Sequence, residues 1–76
     1  MDNFIVINDN VIKERLNQEM KLSGLTLREI AKQVGVSATI LTQYRTTKKM
    51  PSLETFARIC KVIDADANYI LGLTDN

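Results

Sequence analysis

Residues 26–44, TLREIAKQVGVSATILTQY, decide how this chain folds. The first half sets Leu27, Ile30, Ala31 and Val34 at i, i+3, i+4 and i+7, a single apolar stripe along a helix. Thr26 and Glu29 form the T-x-x-E box that starts it, hydroxyl and carboxylate each satisfying a free backbone N–H. Gly35 ends it, because glycine enters a left-handed turn at little steric cost. Val36 then dips back to the core, and Ser37 caps a second helix that carries Leu41 and Tyr44 inward. Ala31 is small where the two helices cross closely. The result is a pair of short helices locked by one tight turn.

Outward from that pair, the flanks read as three more helices. Asn10 is the expected cap of a helix from about Val11 to Leu22, with Ile12, Leu16 and Met20 on its inner face and Ser23-Gly24 as its stop. Thr46 to Met50 form a polar, basic loop. Pro51 halts the incoming chain, Ser52 caps the next helix, and Glu54 suits the positive end of its dipole. Phe56, Ile59, Cys60 and Ile63 repeat the apolar stripe. Asp66 caps a last short helix through Tyr69, Ile70 and Leu71, which Gly72 closes. Residues 3–8, NFIVIN, are a short β-prone run without an obvious partner. The expected organisation is an N-terminal extended arm over 1–9 and one all-α, five-helix domain over 10–74.

Composition narrows what such a domain can do. Seventy-six residues, 45% hydrophobic and 25% charged, make one folded domain with no room for a deep catalytic cleft. A single cysteine and no histidine leave no intrachain disulfide, zinc cluster or usual acid–base plan, so neither enzyme activity nor a metal or other cofactor is expected. No stretch approaches the roughly 20 apolar residues of a membrane span, and the cytoplasm is the expected location. The net charge is only +1, but its distribution is uneven. Residues 26–51 set Arg28, Lys32, Arg45, Lys48 and Lys49 against Glu29, a balance of +4, whereas 1–25 carry −1 and 52–76 carry −2. The positive charge gathers on the helix pair and its following loop.

The segments LTLREIAKQVGVS, Tyr44, the basic loop ending in MPSLETFARI and NYILGLTDN, in this order and spacing, resemble the lambda Cro/repressor-type (XRE-like) helix-turn-helix family from about Val11 to Thr74. The resemblance implies a compact lambda-repressor-like fold and binding to double-stranded DNA, by a docking mode that is a standard example for this motif. The helix from Ser37 to Arg45 would lie in the major groove, and the helix from Thr26 to Val34 would cross the backbone with its N-terminus aimed at a phosphate. The base-reading positions implied are Ala38, Thr39, Thr42 and Gln43. Gln43 suits adenine N6 and N7, and the threonines and alanine suit base edges or a thymine methyl. Thr26, Arg28, Ser37, Arg45, Thr46, Lys48 and Lys49 fall where phosphate contacts are made.

Three positions depart from the family pattern. Leu27 replaces a frequent glutamine, with Arg28 one residue later as a substitute. Arg45 and Thr47 replace a frequent glutamate and glycine, making the loop more basic and altering its turn. Ile40 replaces serine or threonine, and either reaches a thymine methyl or pads the core.

A bland reading accompanies several of these residues. Cys60 fills a small-residue core slot rather than a redox site, Tyr44 packs rather than stacks, and Asp64 beside Asp66 is no catalytic pair when Asp66 is a cap. The expected function is a small sequence-specific transcriptional regulator, a repressor, working as a homodimer on a palindromic operator. The dimer would form through NFIVIN or through Tyr69 to Leu73, while NFIVIN packed on its own domain is the other reading. Two alternatives involve a protein partner: the antitoxin of a toxin–antitoxin pair, and a protein–protein adaptor with Leu27 and Ile40 on a sticky surface.

Overall fold

In the computed structural model, which describes residues 7–74, the chain forms α1 (Asp9–Leu22), α2 (Leu27–Val34), α3 (Ala38–Thr46), α4 (Leu53–Ile63) and α5 (Ala67–Leu71). The all-α, five-helix expectation holds across the described residues. Residues 3–6 of the β-prone run lie outside them. Ile7 and Asn8 are not helical, and Asn8 has extended dihedrals of φ −152° and ψ 162°.

The first helix begins earlier than its sequence implied. Asn8, not Asn10, is the cap: its Oδ1 accepts from the Val11 N–H at 2.9 Å and its carbonyl from the Ile12 N–H. In the run NDN both asparagines can cap. Choosing Asn8 puts Asp9 in the first turn, where the helix dipole favours a negative charge.

The other caps fall where expected. Thr26 and Glu29 make the complete capping box, Oγ1 accepting from Glu29 N–H at 3.1 Å and Oε1 from Thr26 N–H at 2.8 Å. Ser37, Ser52 and Asp66 accept from Ile40, Thr55 and both Asn68 and Tyr69. Gly35 sits at φ 92°, and the Val36 N–H reaches back to the Ala31 carbonyl at 3.0 Å. At the end of α4 the same hook is made without glycine. Asp64 takes φ 54°, and the Ala65 N–H bonds the Cys60 carbonyl at 3.0 Å.

Each helix gives the core one aliphatic side chain that is essentially fully buried: Leu16, Ile30, Leu41, Ile59 and Ile70. Met20, Ala31, Val34, Tyr44, Phe56, Cys60 and Ile63 complete it. The helix pair is thus anchored on two sides, α2 packing on α3 and α4, α1 on α3 and α5. Leu27 and Ile12, expected inside, are only partly buried at the margin. Arg15 ties α1 to α5. Its guanidinium donates to the Tyr69 carbonyl at 2.6 Å and lies 4.5 Å from the centre of the Tyr69 ring. No described helix is long and apolar enough to cross a membrane.

Candidate nucleic-acid interface

The face of α3 turned from the core follows from its inward residues. With Leu41 and Tyr44 buried, Thr39, Thr42 and Thr46 come out to solvent. Two of these hydroxyls fold back on their own helix: Thr42 donates to the Ala38 carbonyl at 3.1 Å and Thr46 to the Thr42 carbonyl at 2.9 Å. Each oxygen keeps accepting capacity. Gln43 is half-buried at the edge of this face. Ala38 is also half-buried and packs partly against the core, so of the four candidate base-reading positions Thr39 and Thr42 are the exposed ones. Ile40, for which two roles were open, packs partly against the core, as Leu27 does.

The candidate phosphate residues lie on α2 and α3, at their N-caps and in the loop that follows α3. Arg28, Arg45, Lys48 and Lys49 are all exposed. The hydroxyls of Thr26 and Ser37 are engaged as caps, but the first two N–H groups of α2 and of α3 have no acceptor within their helices. Those amides make each N-terminus a place for an anion. At α2 the Glu29 carboxylate competes for that field. Its hydrogen bonds from Thr26 hold its pKa below the usual carboxylate value, so it stays ionised beside the helix start.

Two lysines of α1 join the site, although the first 25 residues carry a net negative charge. Lys21 and Arg45 line one cleft of about 170 Å³ with Asn17, Met20, Leu25 and Leu27, beside the start of α2. Lys13 acts elsewhere, at the end of α3. Its ammonium donates to the Tyr44 carbonyl and, at 2.7 Å, to the Lys49 carbonyl. It therefore caps the negative end of α3 and ties down the basic loop. Partial burial pushes its pKa below the ordinary lysine value, opposed by the nearby Asp9 carboxylate.

The turn after α3 explains why a lysine is needed there. Thr47 replaces the frequent glycine, and its backbone is extended at φ −125° and ψ −177°, outside the left-handed region that glycine favours. The Thr47 hydroxyl donates to the Gln43 carbonyl at 2.6 Å and accepts from the Lys49 N–H at 3.1 Å. Without a Schellman hook the last carbonyls of α3 need another donor, and Lys13 supplies it. In the sequence the signal was a helix end without glycine, but nothing named the residue that would fill the gap.

Away from this face, Cys60 is buried, and burial first and Asp66 second push its thiol pKa up, keeping it protonated and unreactive. Asp64 and Asp66 are a helix end and a helix cap, not an acid–base pair. Among the described residues no group of His, Cys, Asp and Glu side chains is arranged to hold a metal ion.

Comparison with known proteins points the same way as the geometry. A family model described as helix-turn-helix (HTH_3) matches residues 16–70. An uncharacterized HTH-type transcriptional regulator, YobD of Bacillus subtilis (strain 168), is 32% identical over 63 residues, which are 83% of this chain and 56% of that protein. The chain thus spans little more than half the length of this relative. No solved structure gives a significant match. The family model covers most of the sequence around the capped helix pair, and the chain belongs to the Cro/C1-type helix-turn-helix family.

Proposed function

We propose that this chain is a sequence-specific transcriptional repressor of the cytoplasm, binding double-stranded DNA as a homodimer on a palindromic operator. The observation that carries the reading is the exposed threonine face of α3, with Arg28 on α2, Arg45 in the last turn of α3 and Lys48 and Lys49 in the following loop also exposed. In this reading α3 enters the major groove. Thr39 and Thr42 meet base edges or thymine methyls, Gln43 bonds an adenine from the edge of the face, and Ala38 adds a small apolar contact. Thr26, Ser37 and Thr46 join the cations in holding phosphates, the first two mainly through the helix starts they cap. Arg28 stands in for the glutamine that Leu27 displaces. The protein acts by binding, without catalysis and without a cofactor.

The adaptor alternative draws less support, because Leu27 and Ile40, its sticky members, are partly buried against the core. No feature of the described residues favours the antitoxin reading over the regulator.

Selection of binding sites from random DNA, followed by anisotropy titration across salt, tests the proposal. A palindromic winner is expected, with half-sites about 34 Å apart. With three or four phosphates neutralised per subunit, log K falls against log salt with a slope of about −5 to −7. Gln43→Ala should cost about 1–3 kcal/mol at one base pair and relax its preference, whereas Lys48→Ala should weaken all sequences alike. A selection that yields no preferred sequence, or affinity indifferent to salt, overturns the reading.

A further inference from the structure

The cleft of about 170 Å³ beside the start of α2 is lined by Asn17, Met20, Lys21, Leu25, Leu27 and Arg45, with no carboxylate among them. Its two cations are uncommitted. Elsewhere Lys13 donates to the Tyr44 and Lys49 carbonyls, Arg15 to the Tyr69 carbonyl, and Arg58 pairs with Glu54. Among the described residues neither Lys21 nor Arg45 has a hydrogen-bond or ion-pair partner for its charged group. Glu14 shares a neighbouring hollow along α1 with Lys21 but makes no ion pair with it.

Asn17 supplies a second, independent observation. Its Oδ1 is buried without a donor, the one such side-chain atom found among the described residues. A buried oxygen left in that state is costly. The charged donors that line the cleft with it are the Lys21 ammonium, one turn further along α1, and the Arg45 guanidinium from α3. Two departures from the family pattern, Leu27 and Arg45, also meet here. Leu27 joins Met20 and Leu25 in apolar walls, and walls of low dielectric around charge of one sign focus its field. The cleft has room for about five waters, and so for the phosphorus and four oxygens of a phosphate group.

We infer that Lys21 and Arg45 together hold one phosphate of the DNA backbone in this cleft, and that Asn17 Oδ1 accepts from Arg45 once the phosphate is bound. The guanidinium suits both tasks, because its five N–H donors can face two phosphate oxygens and still leave one for the amide. The ammonium completes the grip from α1, so a single phosphate bridges α1 and α3 beside the start of α2. Lys21 is then a backbone contact, which sets register without reading sequence, and Asn17 a positioning residue. The inference rests on the DNA-binding reading but on no particular operator.

Anisotropy titration of the full chain with a random-sequence duplex, repeated across salt, tests it. Lys21→Gln and Arg45→Gln should each make the slope of log K against log salt shallower by about 0.9 per bound subunit. Their double variant should lose little more than either alone, because one phosphate is shared. Lys61→Gln removes an equal charge from the last turn of α4 and should leave the slope as it is. Asn17→Ala should weaken every duplex alike while its Tm stays at or above the parent's, since the orphaned oxygen is gone. An unchanged slope in Lys21→Gln, slope losses that add in the double variant, or Asn17→Ala binding like the parent would each overturn the inference. A parent that binds random duplex yet selects no operator sinks the repressor reading alone, and a parent that binds no duplex sinks both.

Discussion

Replacing Lys13 by methionine should loosen the basic loop and lower the stability of the whole domain. Methionine keeps most of the aliphatic stem and removes the ammonium, which donates to the Tyr44 and Lys49 carbonyls. A hydrogen bond to a charged group is worth about 1.5–3 kcal/mol net, and a cation at a helix C-terminus about 0.3–1 kcal/mol. Against that, the ammonium is partly desolvated, as its lowered pKa shows, and the variant recovers that cost. The net loss is about 1–2 kcal/mol, which for a domain of this size lowers Tm by about 4–8 °C per kcal/mol. Thermal unfolding reads the global term. Amide exchange reads the local one at Thr47 N–H, bonded to the Gln43 carbonyl, and Lys49 N–H, bonded to the Thr47 hydroxyl. Both amides should exchange about 5–30-fold faster. A Tm within about 1 °C of the parent, with both amides unchanged, would refute the anchoring role given to Lys13.

The helix ends supply the remaining predictions. Glu29 has a folded pKa below 4.5, so the folded state holds its proton less tightly than the unfolded chain does. Its contribution is therefore complete above pH 4.5 and disappears as pH falls through the folded value. Glu29→Gln, which can still accept from the Thr26 N–H, should flatten that part of an acid-unfolding curve; an unaltered curve would exclude Glu29 as its source. Gly35→Ala should destabilise by about 1–2 kcal/mol, because a Cβ at φ 92° strains the backbone even though it meets no neighbour within 4 Å. Asp64→Gly should do the reverse and stabilise by about 0.5–1 kcal/mol, relieving the left-handed φ of 54°. Denaturant midpoints measure both, and shifts of the same sign would contradict the account.

What the sequence made legible was local, and what it hid was relational. The capping box, Gly35, Ser37, Ser52 and Asp66 each act within four residues of themselves, so their chemistry is written in order along the chain. The stripes of α2 and α4 were legible for the same reason, except that Leu27, at the end of its stripe, packs against the core's margin and is only partly buried. Lys13 illustrates the other case. Its partners lie 31 and 36 residues away, and only the packing of α1 on α3 brings its ammonium to a helix end that lacks a glycine. Arg15 at Tyr69 and Lys21 beside Arg45 are of the same kind. All three lie on α1, whose charges add up to little in a segmental sum. Helix geometry spreads them over different faces, so a sum over the segment hides where each charge acts. The candidate interface is therefore built from two levels of information. The reading helix and its cap come from contiguous residues. The anchor of its basic loop comes from α1, whose part in the site appears only once the core has closed.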